Sequence, residues 1–135
     1  MTIENDPKSK PESLDLEEIL TGKMRERIFG LGVAAYRRRD REEARKQFLR
    51  SAQMGNPDAY FGLGIVVQQE GDIEEAKRLL RKAMEMGSKF APTRLGSIEK
   101  QEGNYDEVKK LALKALSMGD RHGAQWLDPS LYIEE

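Results

Sequence analysis

Apolar side chains recur along the chain at the three- and four-residue spacing of amphipathic helices. The clearest stretch runs from 73 to 86, where five apolar residues share one helical face: Ala76, Leu79, Leu80, Ala83 and Met84. Short polar stretches with glycine, aspartate or asparagine interrupt this pattern. The pattern predicts helices near 23–38, 41–54, 57–70, 73–86, 89–102 and 105–118, and a shorter helix near 120–127 stopped by Pro129. No segment has the strict alternation that predicts a strand.

The predicted helices belong to a repeat of 32 residues. Leu-Gly stands at 31/32, 63/64 and 95/96, and Met-Gly stands at 54/55, 86/87 and 118/119. Two independent dipeptides keep one period, and a period of about 20–50 residues is typical of stacked repeats. We therefore predict three units with two helices in each.

Helix ends are marked at the same places in every unit. Before each second helix, an aspartate or asparagine precedes a glutamate by three residues, as in a capping box: Asp40 with Glu43, Asp72 with Glu75, and Asn104 with Glu107. After each second helix comes a glycine suited to a left-handed closing residue: Gly55, Gly87 and Gly119. The residue after it is a candidate N-cap for the next helix: Asn56, Ser88 and Asp120.

Further glycines lie inside the predicted first helices, where a glycine costs about 1 kcal/mol relative to alanine. Gly32, Gly64 and Gly96 occupy equivalent positions of the three units. Their recurrence predicts that a neighbouring helix packs close to the backbone there. Small residues are expected to face them: Ala44, Ser51, Ala76, Ala83 and Ala115.

Seven residues of the middle unit resemble, in order and spacing, the packing positions of the tetratricopeptide repeat: Leu63, Gly64, Gly71, Asp72, Ala76, Leu80 and Ala83. That family uses about 34 residues for each helix-turn-helix, and the resemblance extends over about residues 24–127. The joins between units are two residues shorter and resemble those of the related Sel1-like repeats.

The first and third units depart from this pattern. Arg39 stands where the later units have Gly71 and Gly103. In the third unit, Val108 and Ala112 stand where the second has Ala76 and Leu80. We expect looser packing late in the array.

The resemblance implies an all-α fold, namely a right-handed α-α solenoid of about three 32-residue helical hairpins with a short terminal capping helix. It also implies a non-enzymatic module or adaptor that binds a peptide segment of another protein in a concave groove. In each unit, the first helix carries an i, i+4, i+7 stripe that would line this groove: Phe29, Val33 and Tyr36, then Phe61, Ile65 and Gln68, then Thr93, Ser97 and Lys100.

Within this stripe, Tyr36 and Phe61 are the predicted anchors, because aromatic side chains often dominate the energy of interfaces. The predicted polar contacts are Gln68, Gln69, Lys100 and Gln101. For Val33 and Ile65, burial in the core is an equal alternative to exposure in a groove.

The composition of the chain limits the kinds of partner that the sequence favours. The chain has 135 residues, enough for one domain, and its 23 Lys plus Arg against 24 Asp plus Glu give a net charge of -1. This balance gives no global reason to expect nucleic acid or an acidic membrane as partner. The chain has no cysteine, its start is polar, and no apolar run approaches the roughly 20 residues that cross a bilayer. A soluble cytoplasmic protein is the expectation.

The expected domain division is an acidic N-terminal tail at 1–22, a helical repeat domain at 23–128 and a C-terminal tail at 129–135. The segment "SLDLEEIL" at 13–20 is weakly amphipathic. It could add a capping turn before Gly22, or it could fold back into the groove.

The stretch "YRRRDREEARK" at 36–46 has six basic and three acidic residues. One interpretation is a solvated turn with i, i+4 ion pairs. The other is an anion-binding patch of Arg37, Arg38, Arg39 and Arg41, by which the protein would act as a regulatory adaptor. A repeat protein that recognises nucleic acid would carry an excess of basic residues at this place in every unit. The equivalent stretch of the second unit, "QQEGDIEEAKR", has no such excess.

Candidate catalytic chemistry is absent from the sequence. "GLGVAA" at 30–35 fits a dinucleotide fingerprint but follows a charged helical segment instead of a strand. The paired carboxylates at 42/43, 74/75 and 106/107 recur in every unit, where they favour helix starts. The single histidine, His122, excludes sites with two histidine ligands. We therefore expect no enzyme, no metal and no cofactor.

Trp126, the only tryptophan, lies at the end of the array. The terminal repeat of a solenoid needs a cap, and Trp126 is predicted to cover its open apolar face. The alternative is a homo-oligomer that forms through this terminal repeat.

Overall fold

The computed structural model describes residues 16–127, which form six α-helices and a 3₁₀ helix and contain no strand. The helices are α1 (Leu16–Arg37), α2 (Arg41–Gln53), α3 (Pro57–Gln69), α4 (Ile73–Glu85), α5 (Ala91–Gln101) and α6 (Tyr105–Ser117), and the 3₁₀ helix spans Arg121–Leu127. This order confirms the predicted helices in number and, apart from the start of α1, within a few residues in position.

Consecutive helices form hairpins that stack into an α-α solenoid. Helix α1 packs on α2, α3 on α4 and α5 on α6, and each hairpin also contacts the next. The first helices α1 and α3 touch each other directly as well. The core follows the stack in two clusters, one around Phe48 and Leu63 and the other around Leu80 and Leu95.

The predicted N-caps form at three helices. Asp40 accepts a hydrogen bond from the backbone N–H of Glu43 at 3.1 Å, Asp72 accepts from that of Glu75 at 3.2 Å, and Asn56 accepts from that of Asp58 at 3.0 Å. The reciprocal half of the capping box does not form. The N–H groups of Asp40 and Asp72 donate instead to carbonyls of the preceding helices, at 2.9 and 3.2 Å.

Two N-cap predictions are wrong. Asn104 makes no side-chain cap, because its Nδ2 donates to Glu99 Oε2 at 2.7 Å. Ser88 does not begin α5, which starts at Ala91 after Phe90. Ser88 is buried, and its hydroxyl donates to Asp58 Oδ1 at 3.0 Å. In both cases a contact to another helix replaces the local cap.

Helix α1 is longer than predicted. It begins at Leu16 and continues through Gly22, so residues 16–20 belong to α1 and do not form a separate capping turn. One glycine costs a helix about 1 kcal/mol, which is too little to end it. Residues 1–15 and 128–135, with Pro129 and most of both predicted tails, lie outside the described residues. The division into domains stays a prediction.

The joins between hairpins contain residues in the left-handed backbone conformation, as predicted. They are Gly55, Gly87 and Gly119, with φ angles of 90°, 103° and 94°. The turn inside each hairpin also has one, with φ of 93° at Gly71 and 81° at Gly103. In the first hairpin this position is Arg39, with φ of 65°. A side chain is strained in this region, because its Cβ crowds the backbone.

Replacing Arg39 by glycine is therefore expected to raise the free energy of unfolding by about 1 kcal/mol. Urea unfolding followed by circular dichroism measures this change. The control is Arg38→Gly, which removes the same charge at the neighbouring position of the turn and is expected not to stabilise. Equal effects of the two substitutions would show that charge, and not the backbone conformation of Arg39, determines the result.

Close approach at the helical glycines is confirmed in the first two units, and the nearest neighbours there are large side chains. A Cβ added to Gly32 would lie 2.6 Å from Phe48 Cδ1, and one added to Gly64 would lie 2.9 Å from Leu80 Cγ. Of the predicted small neighbours, Ala76 is confirmed, since its carbonyl oxygen would lie 3.5 Å from a Cβ on Gly64, but the large side chains of Phe48 and Leu80 lie closer to the two glycines. At Gly96 the nearest neighbour of an added Cβ would be Leu111 Cβ at 3.8 Å, an ordinary contact. The looser packing expected late in the array holds at this position.

The last element is a 3₁₀ helix that packs on α6. Asp120 begins it by accepting a hydrogen bond from the backbone N–H of His122 at 3.1 Å. Gly123 lies so close to α6 that an added Cβ would be 2.7 Å from the carbonyl oxygen of Ala112. Ala112 occupies the repeat position of Phe48 and Leu80, so its small side chain leaves room for this cap.

Candidate functional site

Three open pockets follow one another along a surface lined mainly by α1, α3, α5 and the 3₁₀ helix, and we call this surface the groove. Neighbouring pockets share a wall residue, Tyr36 at one boundary and Phe61 at the other. The aromatic residues predicted as anchors therefore stand at the two junctions of the groove.

The central pocket, which we call the apolar pocket, has a volume of about 150 Å³ and is lined by Phe29, Val33, Tyr36, Phe48, Asp58, Phe61, Gly62 and Ile65. The ring of Phe48 is buried and lies with its centroid 5.7 Å from that of Phe29. Asp58 is the one charged residue of the lining, and it accepts a hydrogen bond from Ser88 at 3.0 Å. The pocket thus offers an open apolar surface between two helices.

Val33 and Ile65 lie at the boundary between core and groove. Both are half-buried and both line the apolar pocket. Val33 also packs against the first core cluster. Val33 therefore lies both against the core and in the wall of the groove, whereas Ile65 lies in the wall of the groove. A role of either residue in binding stays a prediction.

The pocket at one end, which we call the cationic corner, has a volume of about 530 Å³ and is lined by Tyr36, Arg37, Arg39, Arg41 and Gln69. Gln69 Nε2 donates to the Tyr36 hydroxyl at 2.7 Å, which joins α3 to α1. Arg38 is not part of this lining and lies 4.0 Å from Asp40. Within residues 16–127, Arg37, Arg39 and Arg41 make no ion pair.

The pocket at the other end, which we call the aromatic pocket, has a volume of about 330 Å³ and is lined by Phe61, Phe90, Thr93, Arg94, Ser97, Asp120, His122 and Trp126. Cations lie over two of its rings: Lys100 Nζ is 4.8 Å from the Trp126 centroid, and Lys89 Nζ is 5.1 Å from that of Phe90. Arg94 Nε donates to Gln68 Oε1 at 2.9 Å.

Asp120 is the buried acid of the aromatic pocket. Burial alone would raise its pKa, but the hydrogen bond from the Thr93 hydroxyl at 2.8 Å and the contacts with His122 lower the pKa below its ordinary value. The carboxylate is thus held ionised and already accepts three hydrogen bonds.

The structure brings most of the predicted groove residues together. Phe29, Val33, Tyr36, Phe61 and Ile65 surround the apolar pocket, and Thr93 and Ser97 line the aromatic pocket. Gln68, Gln69 and Lys100 make the contacts given above. Gln101 is exposed and lines none of the three pockets.

The sequence did not indicate Phe90, Arg94 and His122 as groove residues. The equivalents of Phe90 and Arg94 in the preceding unit are Asp58 and Gly62, so the repeat gave no signal. The 3₁₀ helix that carries Trp126 packs on α6, and Trp126 forms a wall of the groove. Its role in covering the apolar face of the last unit stays a prediction.

A charged cluster lies outside the groove, between α4 and α5. Lys77 Nζ lies 3.1 Å from Glu99 Oε1, and it also pairs with Glu102. Arg81 Nη2 lies 3.6 Å from the same Glu99 oxygen. Burial would raise the pKa of Glu99, but the hydrogen bonds from Asn104 and Lys77 and the nearby positive charges lower it.

These groups satisfy one another, so the charged cluster serves to join the second hairpin to the third.

In the part of the chain that the structure describes, no group of three or more histidine, cysteine, aspartate or glutamate residues could hold a metal ion. Within the same residues, no helix is sufficiently long and apolar to span a membrane. Self-association through the last repeat and the cytoplasmic location stay predictions.

Comparisons with known proteins agree with this architecture. A family model described as "Tetratricopeptide repeat" matches residues 57–87, which contain the α3–α4 hairpin. The solved structure described as "Arabidopsis OM64 TPR domain" has a TM-score of 0.67 and 18% sequence identity, over 83% of this chain and 97% of that chain. No curated protein matches the chain in sequence. The resemblance of the joins to Sel1-like repeats stays a prediction.

Proposed function

Because this chain is a tetratricopeptide-type repeat protein, we propose that it is a non-enzymatic protein-interaction module that binds a peptide segment of a partner protein in its groove. The presence of repeats of this type supports a role of the chain in protein–protein interaction. The finer claim, that the partner enters the groove as a peptide, is supported by the shape and chemistry of the apolar pocket.

The apolar pocket is the observation that carries the proposal. Its lining is aliphatic and aromatic except for Asp58, and it is open to the groove. A volume of about 150 Å³ suits one apolar side chain, and aromatic walls are typical of the sites that contribute most binding energy. The pocket would thus bind an apolar anchor residue of the partner.

The fold supports recognition in a second way, because the groove residues lie on rigid helices. Phe29, Tyr36 and Phe61 are fixed by α1 and α3, which pack directly on each other. Side chains held by such packing lose little conformational entropy when a partner binds. A solenoid presents an extended surface of this kind along its stacked units.

The proposal predicts that Tyr36→Ala combined with Phe61→Ala weakens peptide binding by about tenfold or more, since each substitution removes an aromatic wall. The measurement is selection from a displayed library of random dodecapeptides, followed by affinity measurement on a synthetic peptide that the wild type selects. Because both residues also contact the core, circular dichroism must show that the variant is folded.

A second variant, Ile65→Gln, tests the pocket with little risk to the fold, since Ile65 is half-buried at its rim. Its matched control is Leu49→Gln, which makes the same kind of change at an exposed leucine of α2. Only Ile65→Gln should weaken binding. If neither the double variant nor Ile65→Gln changes the affinity for the selected peptides, the groove is not the binding site.

A further inference from the structure

Several exposed apolar side chains lie along one side of α1. Among residues 16–127, eight large apolar side chains are at least 39% exposed, and four of them belong to this helix: Leu16, Leu20, Met24 and Leu31. These four are not members of the two core clusters, and they do not line the three pockets of the groove. Neither the core nor the groove therefore accounts for them.

The other two units show what this side of a first helix contacts in the stack. Met24, Arg27, Leu31 and Ala34 are all exposed. Their counterparts in the second and third units are at most 5% exposed: Asn56, Ala59, Leu63, Val66, Ser88, Ala91, Leu95 and Ile98. These positions are thus buried where a hairpin precedes them and exposed in the first unit. We call this side of α1, from Leu16 to Ala34, the open face.

The preceding hairpin supplies the partners of the buried counterparts. Leu95 belongs to the same core cluster as Leu80, and Leu63 belongs to the same cluster as Phe48 and Ala52. Leu80 lies on α4 and the other two partners lie on α2, so each partner belongs to a helix of the hairpin before. The surface that fits the open face is therefore a helix with apolar side chains.

The opposite end of the stack is closed. Residues 121–127 hold the repeat positions of the first turns of the next unit, and they pack on α6 as the 3₁₀ helix. A second copy could stack head to tail only if it displaced this helix. Copies that associate through the open face therefore use the same face on both sides, which is the isologous arrangement of a twofold dimer.

The segment that precedes α1 offers a poorer match. Residues 1–15 contain six charged side chains and three large apolar ones, Met1, Ile3 and Leu14. The open face presents four large apolar side chains on one helix. Another open face matches this number and this spacing, because it is the same helix.

The spacing along the open face is that of a helix pair. Leu20, Met24, Arg27, Leu31 and Ala34 are separated by alternating intervals of four and three residues, which is the spacing of the contact positions in a coiled coil. We propose that the open face binds the open face of a second copy of this chain, so that two antiparallel α1 helices form the interface of a symmetric dimer.

The position of Arg27 sets the register of this pair. With the twofold axis between Arg25 and Arg27, Leu20 lies opposite Leu31 of the second copy, and Met24 lies opposite Arg27. The apolar stem of Arg27 packs on Met24 while its guanidinium reaches solvent. A register in which the two Arg27 side chains face each other is opposed by their like charge.

The dimer leaves both grooves open. Phe29 and Val33 line the groove and stand two positions before and after Leu31, on the opposite side of α1. A dimer therefore presents two grooves and would bind a partner with two sites more tightly than one chain does. The dimer itself does not depend on what the groove binds.

Sedimentation equilibrium of the full chain tests the proposal. The mass is expected to rise from 15.4 kDa toward twice this value as the concentration approaches about 100 µM, where a dissociation constant of about 10 µM gives mostly dimer. Leu31→Glu should raise the dissociation constant at least about tenfold, because it places a carboxylate at both ends of the interface. Circular dichroism checks that the variant is folded.

The matched control is Leu113→Glu, which makes the same change at a leucine of α6 that is 58% exposed. This variant should dimerise like the wild type. A dimer that is weakened equally by both substitutions, or by neither, overturns the proposal.

Disulfide formation tests the antiparallel arrangement, since the chain has no cysteine of its own. A mixture of Leu20→Cys and Leu31→Cys chains is expected to form the mixed disulfide in preference to either homodimeric one. In the proposed register, two cysteines at the same position would lie about 16 Å apart along the helices, beyond the reach of a disulfide. Predominance of either homodimeric disulfide would contradict this arrangement.

The remaining outcomes identify other occupants of the open face. A wild type that stays monomeric at about 100 µM overturns the assignment to a second copy. If removal of residues 1–12 then produces a dimer, the chain's own N-terminal residues cover the open face. If it does not, the open face belongs to a different protein.

Discussion

Replacing Glu99 by alanine is expected to lower the free energy of unfolding by about 3 kcal/mol, because it leaves buried positive charge with fewer partners. Glu99 is 3% exposed and Lys77 is 8% exposed. Glu99 Oε1 lies 3.1 Å from Lys77 Nζ and Oε2 lies 2.7 Å from Asn104 Nδ2. Lys77 would keep Glu102, which is why the expected loss is at the lower end of the range for a broken buried ion pair.

The matched control is Glu102→Ala, which removes the more exposed carboxylate that binds the same lysine. Its side chain is 37% exposed, so the expected loss is about 1 kcal/mol or less. Urea unfolding measures both variants. The combined variant Lys77→Met, Glu99→Met should recover most of the loss, since apolar residues of similar size often replace a buried ion pair without cost. Equal losses for Glu99→Ala and Glu102→Ala would contradict the role of burial.

The pH dependence of this contribution has a defined sign. The pKa of Glu99 is lower in the folded chain than its ordinary value. The contribution of the Glu99 carboxylate to the free energy of unfolding is therefore complete above the unfolded pKa of about 4.3. It is lost as the pH falls through the pKa of the folded state. The difference in stability between wild type and Glu99→Gln should stay constant near neutral pH and shrink below about pH 4.

Local rules explain why the helices and their joins could be predicted. Caps such as Asp40 and Asp72, and glycines such as Gly55, act within a few residues of their own position. The period of 32 residues then repeats each local signal. The stripe on the first helices was predictable for the same reason, and it became a groove because hairpins of equal length stack side by side.

Contacts between units could not be predicted in this way. Phe48 lies between two hairpins, and its position depends on the angle at which they stack. The Lys77–Glu99 pair has no counterpart in the first unit, where the equivalents are Arg45 and Val67. Arg94 of the aromatic pocket likewise replaces a glycine of the preceding unit. Where the units differ from one another, the repeat pattern gives no information.

Two glycines at equivalent positions of different units nevertheless allow the effect of packing to be compared directly. Gly32 and Gly96 are equivalent in the repeat, yet their surroundings differ. A Cβ on Gly32 would lie 2.6 Å from the Phe48 ring, and a Cβ on Gly62 would lie 2.9 Å from the same ring. The ring is therefore held between α1 and α3 and cannot move away from one without meeting the other.

Gly32→Ala is expected to lower the free energy of unfolding by about 2–3 kcal/mol, because the added methyl group overpacks this site. Gly96→Ala should raise it by about 0.5–1 kcal/mol, since alanine is the better helix former and the nearest neighbour of its Cβ is 3.8 Å away. Urea unfolding compares the two. Adding Phe48→Leu to Gly32→Ala should destabilise less than the sum of the single changes, because both act on one contact. If Gly32→Ala and Gly96→Ala shift stability in the same direction, helix propensity outweighs packing, and the clamped ring of Phe48 does not determine how the first two hairpins fit together.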